Sequence, residues 1–336
     1  MIKATLEQSN RQYHRYRQYK HAFFKSLPYS SLIAIVLFFS LILTGCAGQT
    51  QQAQDVSGHI KISGSTALLP LVTAAGQAFQ KQHPRAKIDV SGGGSLTGLQ
   101  AVTTSKVNIG DSDIYADPAT FPDPNLTDHI VCVTPFVMIV NRDVTINSLS
   151  RQQIIDIYST GKYQNWQELN GPNVQIYPIV RPGSSGTRAT FRKYILNGLD
   201  EHGKINLQVD DTKKVVNMVA TTPGAIGYVA LSAVTPAVKY IAIDGQTPTT
   251  ANIAAGKYNF WSYEHMYTLG DDNPLVYAFL NYITDTAMQS TVRQMHYIPI
   301  NDMNLPATSN TSTTNRSSLA VAADAASQES EDRRYE

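Results

Sequence analysis

RPGSSGTRATF, residues 181–191, follows an apolar segment and precedes an amphipathic one, and it is crowded with hydrogen-bond donors. Arg181 carries a fork of donors that keeps its charge at any ordinary pH. Ser184, Ser185 and Thr187 add hydroxyls, and Gly183 and Gly186 let the backbone come close to a small partner. The first N–H groups of a helix lack internal acceptors and carry the positive end of its dipole. A donor-rich loop opening a helix therefore suits an anion. Ser and Thr are also ordinary helix caps, so one such loop proves little.

Two more loops repeat the pattern. SGSTAL at 63–68 and GGGSLTG at 92–98 each stand between a strand-like and a helix-like segment. HIKIS reads as a strand and ALLPLVTAAGQAFQKQ as a helix. AKIDVS is a strand, GLQAVTTSK a helix and VNIGDSD a strand ending in carboxylates. HIVCVTPFVMIVN is a strand, SRQQIIDIYST a helix, and NVQIYPIVR a strand leading into the opening loop. KKVVNMVATTPGAIGYVAL gives helix, turn and strand, and DDNPLVYAFLNYITDTAMQSTVRQM one long helical region. Strands alternating with helices predict an α/β chain with a largely parallel sheet.

IGDSD, residues 109–113, supplies the opposite charge. A carboxylate near three donor loops would repel a bare anion, but it would bind one that carries a proton. Asp113 or Asp111 is such an acceptor, although both also fit ordinary capping roles.

Several chemistries are excluded. No G-x-S-x-G elbow is present for a serine hydrolase. Gly161-Lys162, Gly203-Lys204 and Gly256-Lys257 are followed by Tyr, Ile and Tyr, so none is a P-loop. GGGSLTG lacks dinucleotide-binding spacing. The 8 His residues form no metal-ligand pair at helical spacing, so neither metal nor cofactor is expected. A net charge of +1 gives no electrostatic case for nucleic acid.

The ends differ from the middle. Arg11, Arg15, Arg17, Lys20 and Lys25 precede SLIAIVLFFSLILTGCAG, whose apolar core of roughly fifteen residues falls short of the about twenty needed to span a bilayer. Its end, Leu43-Thr44-Gly45-Cys46, resembles a bacterial lipoprotein signal, which makes 1–45 a signal peptide, Cys46 the lipidated residue and 46–57 a spacer. Cys132, the other of the 2 cysteines, is then expected as a buried thiol without a disulfide. Residues 306–336 read as a disordered tail, rich in Ser, Thr, Asn and Ala.

From Gly58 to Leu305 the chain resembles the phosphate-binding proteins of bacterial phosphate ABC importers. The likeness is carried in order by GSTALLPLVTAAGQAFQ, IDVSGGGSLTGLQAV, NIGDSD, RPGSSGTRATF and PGAIGYV. It implies a type II periplasmic-binding fold, with lobe 1 from 58–133 plus 262–305 and lobe 2 from 134–261, closing over one inorganic phosphate. Hinges would lie near Thr134, Pro135 and residues 258–263. By that resemblance Thr66 and Ser95 offer donors, Asp113 accepts the phosphate proton, and Arg181, Ser185, Gly186 and Thr187 hold the remaining oxygens. Ser65 and Ser112 border the site. The implied function is a monomeric, lipid-anchored extracytoplasmic receptor, not an enzyme, serving membrane permease subunits and their ATPase. A receptor for sulfate or molybdate, and an extracellular phosphatase, are the alternatives. Two residues depart from the family pattern: Leu96, strained if its position needs positive φ, and Asp111, a second carboxylate.

Overall fold

The computed structural model describes residues 56–207, 210–270 and 273–303. The expected signal peptide, Cys46, nearly all of the spacer and the C-terminal tail lie outside the described residues.

β1 (Gly58–Gly64), β2 (Ala86–Gly92) and β3 (Ile109–Ser112) run parallel, with β1 central. Between them lie α1 (Leu69–Gln82) and α2 (Ser95–Thr103). The apolar spacing of α1 buries Leu71, Val72, Ala75 and Phe79 along one face. These pack with Ile60, Ile62 and Cys132 and with Phe279, whose ring meets Phe79 edge-on at 5.7 Å. Cys132 is buried, as expected, and burial pushes its thiol well up, so little nucleophilic thiolate forms.

β4 (Leu126–Val140) leaves this layer and enters a second one. Its residues 126–135 pair with β10 (Trp261–Leu269), while residues 136–140 pair with β8 (Ala225–Ala230). β9 (Lys239–Ile243) also joins β4, and β5 (Ser148–Leu149) joins β9. β6 (Tyr177–Val180) runs parallel to β8 and to β7 (Ile205–Asn206). The sheet is therefore mixed rather than largely parallel. β10 runs antiparallel to both β3 and β4, because it carries the chain back to the first layer.

Helices complete each layer. α3 (Arg151–Ile155) opens with a capping box between Ser150 and Gln153, then loosens into a π-helical turn over Asp156–Thr160, so the helical stretch reaches the end of the segment its sequence pattern marks. α4 (Gly186–Tyr194) and α5 (Thr212–Thr221) pack near β8, and α6 (Thr250–Ala254) is one short turn. The final helical region is broken: α7 (Pro274–Thr284) stops before Asp285, which caps a tight turn ahead of α8 (Gln289–Gln294).

Candidate anion-binding site

The N-termini of α2 and α4 meet face to face. Leu96 N–H donates to Ser184 O at 3.2 Å, tying the second donor loop to the third. A Cβ on Gly186 would lie 2.2 Å from Ser95 Oγ, and one on Gly94 would lie 2.7 Å from Ser184 O. Only glycine permits either approach. Positive φ falls on Gly93 and Gly94, whereas Leu96 is helical, so the departure at Leu96 carries no strain.

Arg181 is wholly buried at the end of β6. Its Nε donates to Asp210 Oδ1 at 2.8 Å, and its Nη2 bonds the same oxygen. Nη2 also reaches Thr66 Oγ1 at 3.1 Å and Thr212 Oγ1 at 3.2 Å. The two threonine hydroxyls lie 2.8 Å apart. Nη1 is buried without a hydrogen-bond partner. Arg181 is thus anchored to Asp210 and keeps one nitrogen without a partner.

Asp113 lies just past β3, where Thr187 Oγ1 donates to its Oδ2 at 2.7 Å. Ser95 Oγ accepts from Asp113 N–H at 2.9 Å. Asp113 Oδ1 is buried without a partner. Burial raises the pKa of Asp113, while hydroxyls of Ser65 and Thr187 and the charge of Arg181 oppose the rise and Asp210 adds to it. Ser65 Oγ accepts from the N–H groups of Ala67 and Leu68, each at 3.0 Å, shaping the first loop. Ser185 caps α4 by accepting from Arg188 N–H.

Thr66, Ser95, Asp113, Arg181, Ser185, Gly186 and Thr187 thus gather in one buried cluster, with Ser65 behind it. Ser112 is turned into its own loop, donating to Ile114 O at 2.6 Å. Asp111 also faces elsewhere. A Cβ on Gly110 would strike Gly98 O on α2, so alternation turns Asp111 to the opposite side of β3, toward Cys132 and Glu264. Sequence reasoning missed Asp210, Thr212 and Glu264. Asp210 and Thr212 flank the Asp211 cap of α5, a fourth helix start whose VDDT carries no glycine to mark it.

The model of the PBP superfamily domain matches residues 49–287. The phosphate-binding protein PstS of Bacillus subtilis is 39% identical over 285 residues, covering 81% of this chain and 94% of that protein. The chain belongs to the PstS phosphate-binding protein family. The PstS family is one of substrate-binding receptors, and its solved relatives share this two-lobed type II fold. A Clostridium perfringens ABC transporter substrate-binding protein solved with phosphate superposes with a TM-score of 0.66 at 24% identity, covering 72% of this chain and 100% of its own. An ABC-type phosphate transport receptor from Vibrio cholerae gives 0.57 at 22% identity, covering 71% and 99%. At these identities the superpositions speak for the fold alone.

Proposed function

We propose that the chain is an extracytoplasmic receptor that captures inorganic phosphate and delivers it to the permease and ATPase of an ABC importer. One observation carries the reading. Arg181 Nη1 and Asp113 Oδ1, a donor and an acceptor both buried and both unpartnered, stand in the same cluster of helix N-termini. Donors alone would suit any oxyanion. The added acceptor suits one that still bears a proton, which favours phosphate over sulfate and molybdate. Thr66, Ser95, Ser185, Gly186 and Thr187 would hold the phosphate oxygens, and no bond is made or broken. Calorimetric titration with phosphate and sulfate, beside an assay for phosphate-ester hydrolysis, separates this reading from the oxyanion and phosphatase alternatives.

Lobe 1 comprises 58–133 plus 262–305 and lobe 2 comprises 134–261. Support comes from β4, which exchanges β10 for β8 between Pro135 and Phe136, opposite Trp261 where β10 begins. Thr66, Ser95 and Asp113 fall in the first lobe and residues 181–187 in the second. Their mutual hydrogen bonds describe a closed cleft, and release requires the two crossing strands to flex.

Cys46 is the membrane anchor in this reading. No helix among the described residues is long and apolar enough to cross a membrane. Each buried lipid methylene contributes about 0.8 kcal/mol, and firm attachment takes more than one chain. Cys46→Ser, once its signal is removed, is expected to move the protein from the membrane fraction to the soluble one on sedimentation. Continued pelleting with membranes would count against the anchor.

A further inference from the structure

Glu264 lies in the middle of β10, fully buried, and nothing in the anion cluster accounts for it. β10 is in register with Cys132 of β4 at Glu264 and with Ser112 of β3 at His265, with a bulge between the two residues. Such a bulge re-aims a side chain. His265 turns its Nδ1 to Asp128 and its ring to Tyr115 and Tyr267. Glu264 turns to Asp113, with Asp111, Cys132, Thr134 and Tyr297 around it.

Five carboxyl oxygens there are buried without a donor: both of Asp111, both of Glu264, and Asp113 Oδ1. The buried cation next to Asp113 is Arg181, already engaged by Asp210. Were all three acids ionised, three uncompensated charges would stand behind a site for an anion, at prohibitive desolvation cost. A carboxyl group that keeps its proton becomes a donor and can satisfy a neighbouring carboxylate oxygen. We infer that Glu264 is held as the neutral acid and donates its proton to the Asp113 carboxylate, which keeps a free lone pair as the acceptor for the proton of the bound anion. Glu264 is thus a positioning residue for anion selectivity, and this role rests on the phosphate reading above.

The electrostatics agree. Burial pushes the Glu264 acid well up, the charge of Asp113 adds to this, the hydroxyl of Thr134 opposes it, and the hydrogen bond to Asp113 and the charge of Asp111 reinforce it. Burial and the charge of Asp113 likewise push Asp111 well up. An acid raised in the native state favours folding below the ordinary carboxylate range, and that contribution is lost as pH rises through the native value. Ionisation of Glu264 as pH rises through its raised native value would also set a second charge against Asp113 and weaken anion binding.

Glu264→Gln and Glu264→Met, made in the full chain, test this by titration with phosphate and with sulfate across a pH series. Without its donor, Asp113 takes up the proton itself and can donate to sulfate, so Met is expected to shrink the phosphate-to-sulfate affinity ratio by about tenfold or more. Gln keeps an N–H donor but cannot ionise. It is expected to rescue the ratio and to flatten the fall in phosphate affinity with rising pH that wild type shows beyond phosphate's own titration. An unchanged ratio in a folded Met variant, or a Gln profile as steep as wild type, overturns the role. Should the Met variant fail to fold, the Gln profile decides. The infrared difference between ligand-free wild type and Glu264→Gln at neutral pH isolates the inference from the phosphate reading. Loss of a protonated-carboxyl band supports it, and no such loss overturns it whatever the ligand. A wild type that binds sulfate as well as phosphate overturns the phosphate reading and this role together, even where the infrared band is present.

Discussion

Arg181→Ala is expected to weaken phosphate binding by about 2–5 kcal/mol, between roughly thirty- and several-thousand-fold. The loss has two parts that can be separated. Removing the guanidinium takes away Nη1, the unpartnered donor, and also leaves Asp210 buried without its counter-charge. The second part costs stability as well as affinity, since breaking one half of a buried pair destabilises by about 3–5 kcal/mol. Arg181→Ala combined with Asp210→Asn removes the uncompensated charge. The double variant should recover much of the melting temperature and little of the phosphate affinity. Recovery of both by calorimetry would reduce Arg181 to a structural partner of Asp210.

Asp113→Asn should produce the largest change in selectivity. Sulfate matches phosphate in shape but has no proton at neutral pH, so its bare oxygen would face the buried Asp113 carboxylate. A site that demands one hydrogen bond can reject an analogue lacking it by about 10⁴–10⁵. An amide turns an NH₂ toward that oxygen, so the discrimination should fall by several powers of ten, mainly through tighter sulfate binding. Asp111→Asn should leave the ratio close to wild type, because burial and the charge of Asp113 keep Asp111 a neutral acid, which the neutral amide replaces without a change of charge. Equal effects from the two substitutions in paired titrations would remove Asp113 from its assigned role.

The three donor loops were legible because Gly, Ser and Thr at strand-to-helix junctions have few other uses in such density. The backbone there needs positive φ at Gly93 and Gly94, and the sequence carries glycine at both. β10 was not legible. WSYEHMYTL places Glu264 and His265 side by side in mid-strand, which breaks any apolar–polar alternation, and both are buried. Their burial depends on contacts with β3 and β4, which are remote in sequence. Asp210 escaped for a similar reason: beside Asp211 it reads as one more helix cap, and only the fold sets it against Arg181, 29 residues away. The mixed sheet followed from β10 as well, since a strand missed in the sequence leaves only the parallel alternation visible.

A crystal structure of the chain grown with phosphate tests the central claim most directly. The account predicts one phosphate in the closed cleft, with Arg181 Nη1 donating to one oxygen and Asp113 Oδ1 accepting from another. The hydroxyls and N–H groups of Thr66, Ser95 and residues 185–187 should fill the remaining contacts. Phosphate bound elsewhere, with Arg181 Nη1 and Asp113 Oδ1 both out of its reach, would contradict it.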